Sequence, residues 1–155
     1  MTTTSTTKNT FFTRDEIPVH VTGEDGYITA MDEEGEAGST AMDMRAHLAG
    51  RLRIRVLLNQ GPGGYSLVES ELAPGTRVPR HRHNMAQVAL VLEGSMKHGN
   101  KVLGPGDGYF TPPEGAYSFV VGPEGCRYVE FRLGAVEEIT SDVLETDPAR
   151  WVHAS

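Results

Sequence analysis

The stretch PGTRVPRHRHNMAQVALVLEG, residues 74–94, decides how the chain is read. His81 and His83 stand two residues apart, and in a strand that spacing puts both side chains on one face. Both imidazoles can then reach a single ion. Gln87 follows four residues after His83, near enough for its side-chain oxygen to join them where the strand bends or a turn intervenes. A bare His-x-His is more often two hydrogen-bonded histidines than a ligand pair, so the surrounding chain has to decide.

Outward from this stretch the texture is uniform. After Gly50 come short apolar or alternating runs punctuated by Gly and Pro: RIRVLL, YSLVESEL, VALVLEG, KVLGPGDGYFTPPEG, YSFVVGPEG and CRYVEF. Strand-sized runs with turn signals close together, and no long helical pattern between them, predict an antiparallel barrel or sandwich. KHGNK reads as a tight hairpin around Gly99 and Asn100, and GPEG as a turn ahead of Cys126. Upstream, residues 1–10 carry too little apolar area to offset the entropy of ordering and are predicted to fray. Residues 11–50 form an N-terminal extension: an extended segment over Phe11 to Val21, an acidic loop over Asp32 to Gly38, and a short helix capped by Ser39 or Thr40, running through Met42, Met44 and Leu48 to Gly50. Residues 51–134 form the barrel and 135–155 a C-terminal extension, in which Ser141 or Asp147 with Pro148 starts one or two short helices.

Composition narrows the function classes. A chain of 155 residues fits one domain and hence one site. A net charge of −7 with no long basic run disfavours nucleic acid. Arg51, Arg53 and Arg55 alternate with Leu52, Ile54 and Val56, as on the solvated face of a half-buried strand. One cysteine, Cys126, excludes an intrachain disulfide and suits a cytoplasmic setting. The first residues lack the basic and apolar regions of a secretory signal, and no apolar run is long enough to span a bilayer, so a soluble, unanchored protein is expected.

The spacing Gly75, five residues, His81, one residue, His83, three residues, Gln87, six residues, Gly94 resembles the first cupin motif at every position but one. Gln87 stands where that family usually has Glu. Downstream, GDGYFTPPEGAYSF resembles part of the second motif through Gly106 and Pro112, with Glu114 at the second glycine position and Tyr117 where a fourth ligand, a histidine, is usual. The resemblance covers roughly residues 53–133. It implies an all-β cupin double-stranded β-helix, or jelly-roll barrel, with N- and C-terminal extensions. It also implies a homodimer and one divalent metal ion (iron, zinc, manganese or nickel) on His81, His83 and Gln87.

The departures carry chemistry. With three neutral ligands the ion keeps its full charge, which suits polarising a carbonyl or holding an enolate or phenolate. Tyr117 has three readings: a weak ligand, a hydrogen-bond donor or acid beside the metal, or a packing residue. Glu130 shares strand parity with Tyr128 and is a candidate general base, unless the opposite register turns Val129 and Phe131 inward. Arg77 shares parity with His81 and His83 and is a candidate for meeting an anionic substrate, whereas Arg80 and Arg82 alternate to the outer face. His98 lies beside the hairpin, either at the barrel mouth or, the simpler reading, as a solvated turn residue. Cys126 has no partner histidine at a telling spacing and reads as a small buried residue.

Two functions follow. The first is a metal-dependent cupin enzyme acting on a small enolisable or phenolic molecule, by dioxygenase chemistry or by Lewis-acid lyase, isomerase or cyclase chemistry. The second is a non-catalytic module in which the same pocket binds a small ligand.

Overall fold

The computed structural model of the chain describes residues 8–21 and 44–155. The acidic loop, the helix caps at Ser39 and Thr40, and residues 1–7 of the tail lie outside the described residues.

Among the described residues there are nine strands. They are β1 (His20–Val21), β2 (Leu52–Asn59), β3 (Ser66–Leu72), β4 (Arg77–His83), β5 (Gln87–His98), β6 (Lys101–Leu103), β7 (Gly108–Thr111), β8 (Tyr117–Arg132) and β9 (Ser141–Val143). They form one antiparallel sheet in the order β1-β2-β3-β8-β4-β9, with β5 also pairing β8, β6 and β7. The sixteen-residue β8 is its spine: Cys126 to Arg132 pair with β3, Tyr117 to Val120 pair with β4, and β5 pairs with Val120, Val121 and Cys126 to Arg132. This curled antiparallel sheet is the jelly-roll barrel expected from the sequence. The hairpin at Gly99 and Asn100 forms as read, joining His98 to Lys101.

Parity switches in β5, β4 and β8 decide which side chains near the site face inward. In β5 the register shifts between Val91 and Glu93, so the buried positions change from Gln87, Ala89 and Val91 to Met96. In β4 an extra residue between Val78 and His81 breaks the alternation. In β8 residues 122–125 form an excursion rather than the separating turn read from the sequence, and the strand continues through it. Inward residues are therefore Phe119 and Val121 before the excursion, and Tyr128 and Glu130 after it. The excursion depends on glycine at position 94, where φ is +72° and an added Cβ would lie 2.0 Å from the Gly125 carbonyl oxygen.

Leu72, Val78, Ala89, Val91, Met96, Leu103, Phe119, Val121, Cys126, Tyr128 and Val143 make the core, with Met44, Leu48 and Trp151 completing it. Residues 44–48 are helical, as the sequence suggested, and turn Met44 and Leu48 inward. The C-terminal extension locks onto them. His153 stacks on His47 at 4.0 Å, the Arg77 backbone N–H donates to His153 Nδ1 at 3.1 Å, and Ala154 N donates to Gly75 O at 2.7 Å. Gly75 has φ +70° and no room for a Cβ against the Ala154 carbonyl, so this motif glycine seats the tail. Asp147 starts a 3₁₀ turn over Pro148–Arg150 as expected, its carboxylate accepting from Ala149 N. Ser141 does not start a helix; it begins β9, because residues 141–143 pair with His81 to His83. The extended segment near the N-terminus holds a 3₁₀ turn over Arg14–Glu16, and Arg14 reaches the outer face of the barrel to pair with Glu69 and Glu71. Among the described residues no helix is long and apolar enough to cross a membrane.

Candidate functional site

The barrel encloses a cavity of about 140 Å³. Strand register grades its walls. Leu52 and Leu72 pair at one end, Ile54, Ser70 and Tyr128 lie in the next row, and Glu130 and Arg132 follow along β8 toward Gln87. Val78 and Phe119 face each other across β4 and β8, with His81 opposite Tyr117 just beyond. An apolar, aromatic slot thus leads to a polar end.

His81 and His83 do share one face, with ring centroids 4.9 Å apart. The His81 Nδ1–H donates to Pro79 O at 2.7 Å, which turns the lone pair on Nε2 away from the backbone. His83 Nδ1 is held by Ser141 Oγ at 2.6 Å and lies 3.3 Å from Thr140 O, leaving Nε2 to face the Tyr117 hydroxyl at 3.2 Å. Burial pushes His81 down to about 4; burial, then His81 and Arg132, hold His83 well below its ordinary value. Both rings are therefore neutral near pH 7, the state that donates a lone pair.

Gln87 is 1 % exposed and does not line the cavity directly. Its Nε2 donates to the Tyr117 hydroxyl at 2.8 Å, while Oε1 is buried without any partner. Tyr117 therefore sits between Gln87 and His83, accepting from one and donating to the other. Burial raises the phenol well above its ordinary value, with the negative charge of Glu130 adding to the effect, so it stays protonated. Among the described residues no three His, Cys, Asp or Glu side chains stand together as a metal cluster. A ligand set at this end is completed only by an amide. The residues present fit a divalent cation: two neutral imidazole nitrogens and one orphaned amide oxygen are all acceptors, and an unpaired buried acceptor is costly without a positive partner.

Other residues fall as follows. Glu130 faces inward, since the β8 excursion reverses the alternation that would have buried Val129 and Phe131; its Oε1 lies 3.4 Å from Arg132 Nη2 and its Oε2 has no partner. Arg77 does not reach the cavity. The extra residue in β4 turns it away, and Nη2 contacts both Glu145 carboxylate oxygens at 3.0 Å. Arg82 is on the outer side as expected, paired with Asp142 and Glu114. His98 is no solvated turn residue: it packs against Tyr109, Phe119 and Tyr117 at 4.5, 5.1 and 6.3 Å, and burial lowers its pKa. Cys126 is buried in the core, and burial pushes its thiol up to about 11. Arg132, which also lines the cavity, was missed by sequence reasoning although it continues the Tyr128, Glu130 alternation by two residues.

Residues 63–154, more than half of the chain, match the family model of the AraC-like ligand binding domain. The chain belongs to this family of cupin-like barrels. Among solved structures, the AraC-like domain described here is similar to the polyketide cyclase RemF of Streptomyces resistomycificus, with 23% identity and a TM-score of 0.59 over 91% of this chain and 90% of that one. It is also similar to an RmlC-like cupin from Shewanella frigidimarina, with 27% identity and a TM-score of 0.50 over 59% of this chain and 83% of that one. The DMSP lyase DddQ of Ruegeria pomeroyi aligns at 18% identity and a TM-score of 0.53, over 63% of this chain and 54% of that one. At such identities the cyclase and the lyase speak for the fold alone. No curated protein sequence matches the chain.

Proposed function

We propose that this AraC-like cupin is a metal-dependent enzyme that acts on a small, flat, enolisable or phenolic molecule by Lewis-acid chemistry of the lyase, isomerase or cyclase kind. The observation that carries the reading is the grouping at the polar end of the barrel: two neutral imidazoles 4.9 Å apart on one strand face, with His83 Nε2 and the Gln87 amide meeting at the Tyr117 hydroxyl and Gln87 Oε1 left buried without a partner. The likeness to a polyketide cyclase along nearly the whole of both chains is in keeping with it.

A divalent ion on these three neutral ligands supplies an undiminished positive charge that polarises a carbonyl or phenol oxygen. The chain's own groups do the rest. Pro79 O and Ser141 Oγ hold the two imidazole rings in their orientation, so that only the Tyr117 O–H would have to leave His83 Nε2 for a cation to bind. Leu52, Ile54, Val78, Phe119 and Tyr128 exclude water and hold a planar apolar body. Glu130 Oε2, lacking a partner, takes the proton from an acidic carbon of the substrate. Tyr117 O–H, released from His83 when that nitrogen is engaged, donates to a developing oxyanion.

A second reading is a binding module without catalysis. It is favoured by the Tyr117 hydroxyl standing between Gln87 and His83, and by the ligand-binding description of the family. Hydrogen–deuterium exchange at the α-carbons of 2-tetralone, followed by proton NMR, separates the two. The enzyme reading expects exchange accelerated by the metal-loaded protein and reduced by about 10² or more in Glu130→Gln, with tetralone binding retained. Binding with exchange no faster than in buffer makes the module the better account.

A homodimer forms part of the proposal. β1 pairs only with Ile54 and Arg53, which leaves the rest of that edge of β2 open to a second copy among the described residues. Light scattering at micromolar concentration tests it, a monomer counting against it.

A further inference from the structure

At the polar end of the cavity the charged groups among the described residues are Arg132 and Glu130, and His81 and His83 beside them are neutral. Arg132 is 14 % exposed, and its contacts are sparse for a guanidinium with five N–H donors. Nη2 meets Glu130 Oε1 at 3.4 Å, a long contact, and Nε is enclosed without a partner. Nη1 is neither enclosed nor bonded among the described residues. The fork formed by Nη1 and Nη2 is thus largely unspent. Register fixes where it acts: Arg132 pairs with Gln87 across β8 and β5 and with Ser66 across β8 and β3, on the face that carries Glu130 and Tyr128. Ser66 Oγ donates to Gly134 O at 2.8 Å, and no hydrogen bond joins it to the guanidinium among the described residues.

We propose that Arg132 is the anion anchor of the cavity and that the ligand is an aromatic or enolic carboxylic acid. Its carboxylate is held by the Arg132 fork, and its ring lies against the apolar wall that Phe119 and Tyr128, packed edge to face at 6.1 Å, form with Ile54 and Val78. A planar carboxylate matches a guanidinium fork in geometry and charge, and it supplies the hydrogen bonds that Glu130 gives only in part. Charge balance points the same way. A divalent ion on neutral ligands together with Arg132 and Glu130 leaves an excess of about two positive charges, which a hydroxy-acid ionised at both groups would neutralise. This class deepens the proposed function and rests on it for the phenol or enol oxygen, but the Arg132 contact stands without metal.

The test is fluorescence titration of metal-stripped protein with 3-hydroxy-2-naphthoate and with 2-naphthol, which lacks the carboxylate. Wild type is expected to bind the acid about tenfold or more tightly than the naphthol. Arg132→Met strands Glu130, so it is paired with Glu130→Gln, which keeps that end of the cavity neutral. In this double variant the preference, read as the ratio of the two affinities, is expected to fall to about twofold or less. Glu130→Gln alone is expected to keep the preference. Absence of a preference in metal-stripped wild type, or its survival in the double variant, overturns the proposal. A preference that appears only on metal loading and survives loss of Arg132 assigns the carboxylate to the ion: the Arg132 assignment then fails while the metal reading stands. The reverse outcome, a metal-free preference lost with Arg132 in a protein that retains no metal, sustains the anchor and refutes the metal reading.

Discussion

Tyr117→Phe removes one oxygen from the centre of the polar end. That hydroxyl accepts from Gln87 Nε2 at 2.8 Å and donates toward His83 Nε2 at 3.2 Å. In the metal-free protein the change leaves the Gln87 amide with no partner on either end, since Oε1 already has none. One newly unpaired buried donor costs about 1–3 kcal/mol, and the 3.2 Å contact adds little. For a domain of this size that lowers the melting temperature by about 2–4 °C for each kcal/mol. Metal binding responds differently. A cation on His83 Nε2 must first displace the tyrosine O–H, so its loss favours the cation by about 0.5–1.5 kcal/mol, whereas the loss of the bond that orients Gln87 disfavours it by a similar amount. The two nearly cancel. Urea or thermal unfolding of the metal-stripped variant is expected to show the destabilisation, while competition against a chromophoric chelator shows affinity within about tenfold of wild type. A fall of a hundredfold or more would mean that the Tyr117 oxygen is itself a ligand, and the three-ligand set would be refuted.

Gln87→Glu restores a carboxylate to the site and is expected to keep the metal or hold it more tightly by chelator competition; an emptied site would place Gln87 behind the ligands rather than among them. Glu114 occupies a left-handed conformation, φ 64°, at the position where the cupin motif has glycine. Glu114→Gly is expected to stabilise the fold by up to about 1 kcal/mol in urea unfolding, the exposed contact with Arg82 offsetting little; destabilisation would show that this contact outweighs the backbone strain. Burial would raise the Glu69 carboxyl, but Arg14 and then Arg127 overcome it and hold it below its ordinary value of 4.5. A depressed carboxyl stabilises the fold above its unfolded pKa and stops doing so as pH falls through the folded one. Arg14→Ala is therefore expected to destabilise at pH 7 and to approach wild type as the pH drops below about 4.5. A difference independent of pH would assign the effect to packing.

The period-two placement of His81 and His83 and the glycine spacing around them were legible because they are local. Gly75 and Gly94 belong to the motif for reasons only the fold supplies: one seats the C-terminal tail, the other faces Gly125 at a strand bend. What escaped were the parity switches. Alternation carried across the extra residue near Pro79 placed Arg77 in the cavity, and it left Glu130 undecided until the excursion at residues 122–125 set its face. His98 looked solvated because a hairpin neighbour usually is, yet the β5 switch turns it onto an aromatic cluster. The Arg14 cover over Glu69 joins residues 55 positions apart and leaves no local signal. Arg132 had a signal, two residues beyond Glu130, that would have counted only once the register of β8 was fixed.

The central claim is the ligand set of His81, His83 and Gln87. Elemental analysis of the purified protein beside its His81→Ala variant, with both shown to be folded by circular dichroism, tests it most directly. The account expects about one equivalent of a divalent metal per chain in wild type and its loss in the folded variant. Equal metal content in the two proteins, or none in wild type even after incubation with iron, zinc, manganese or nickel, would contradict it.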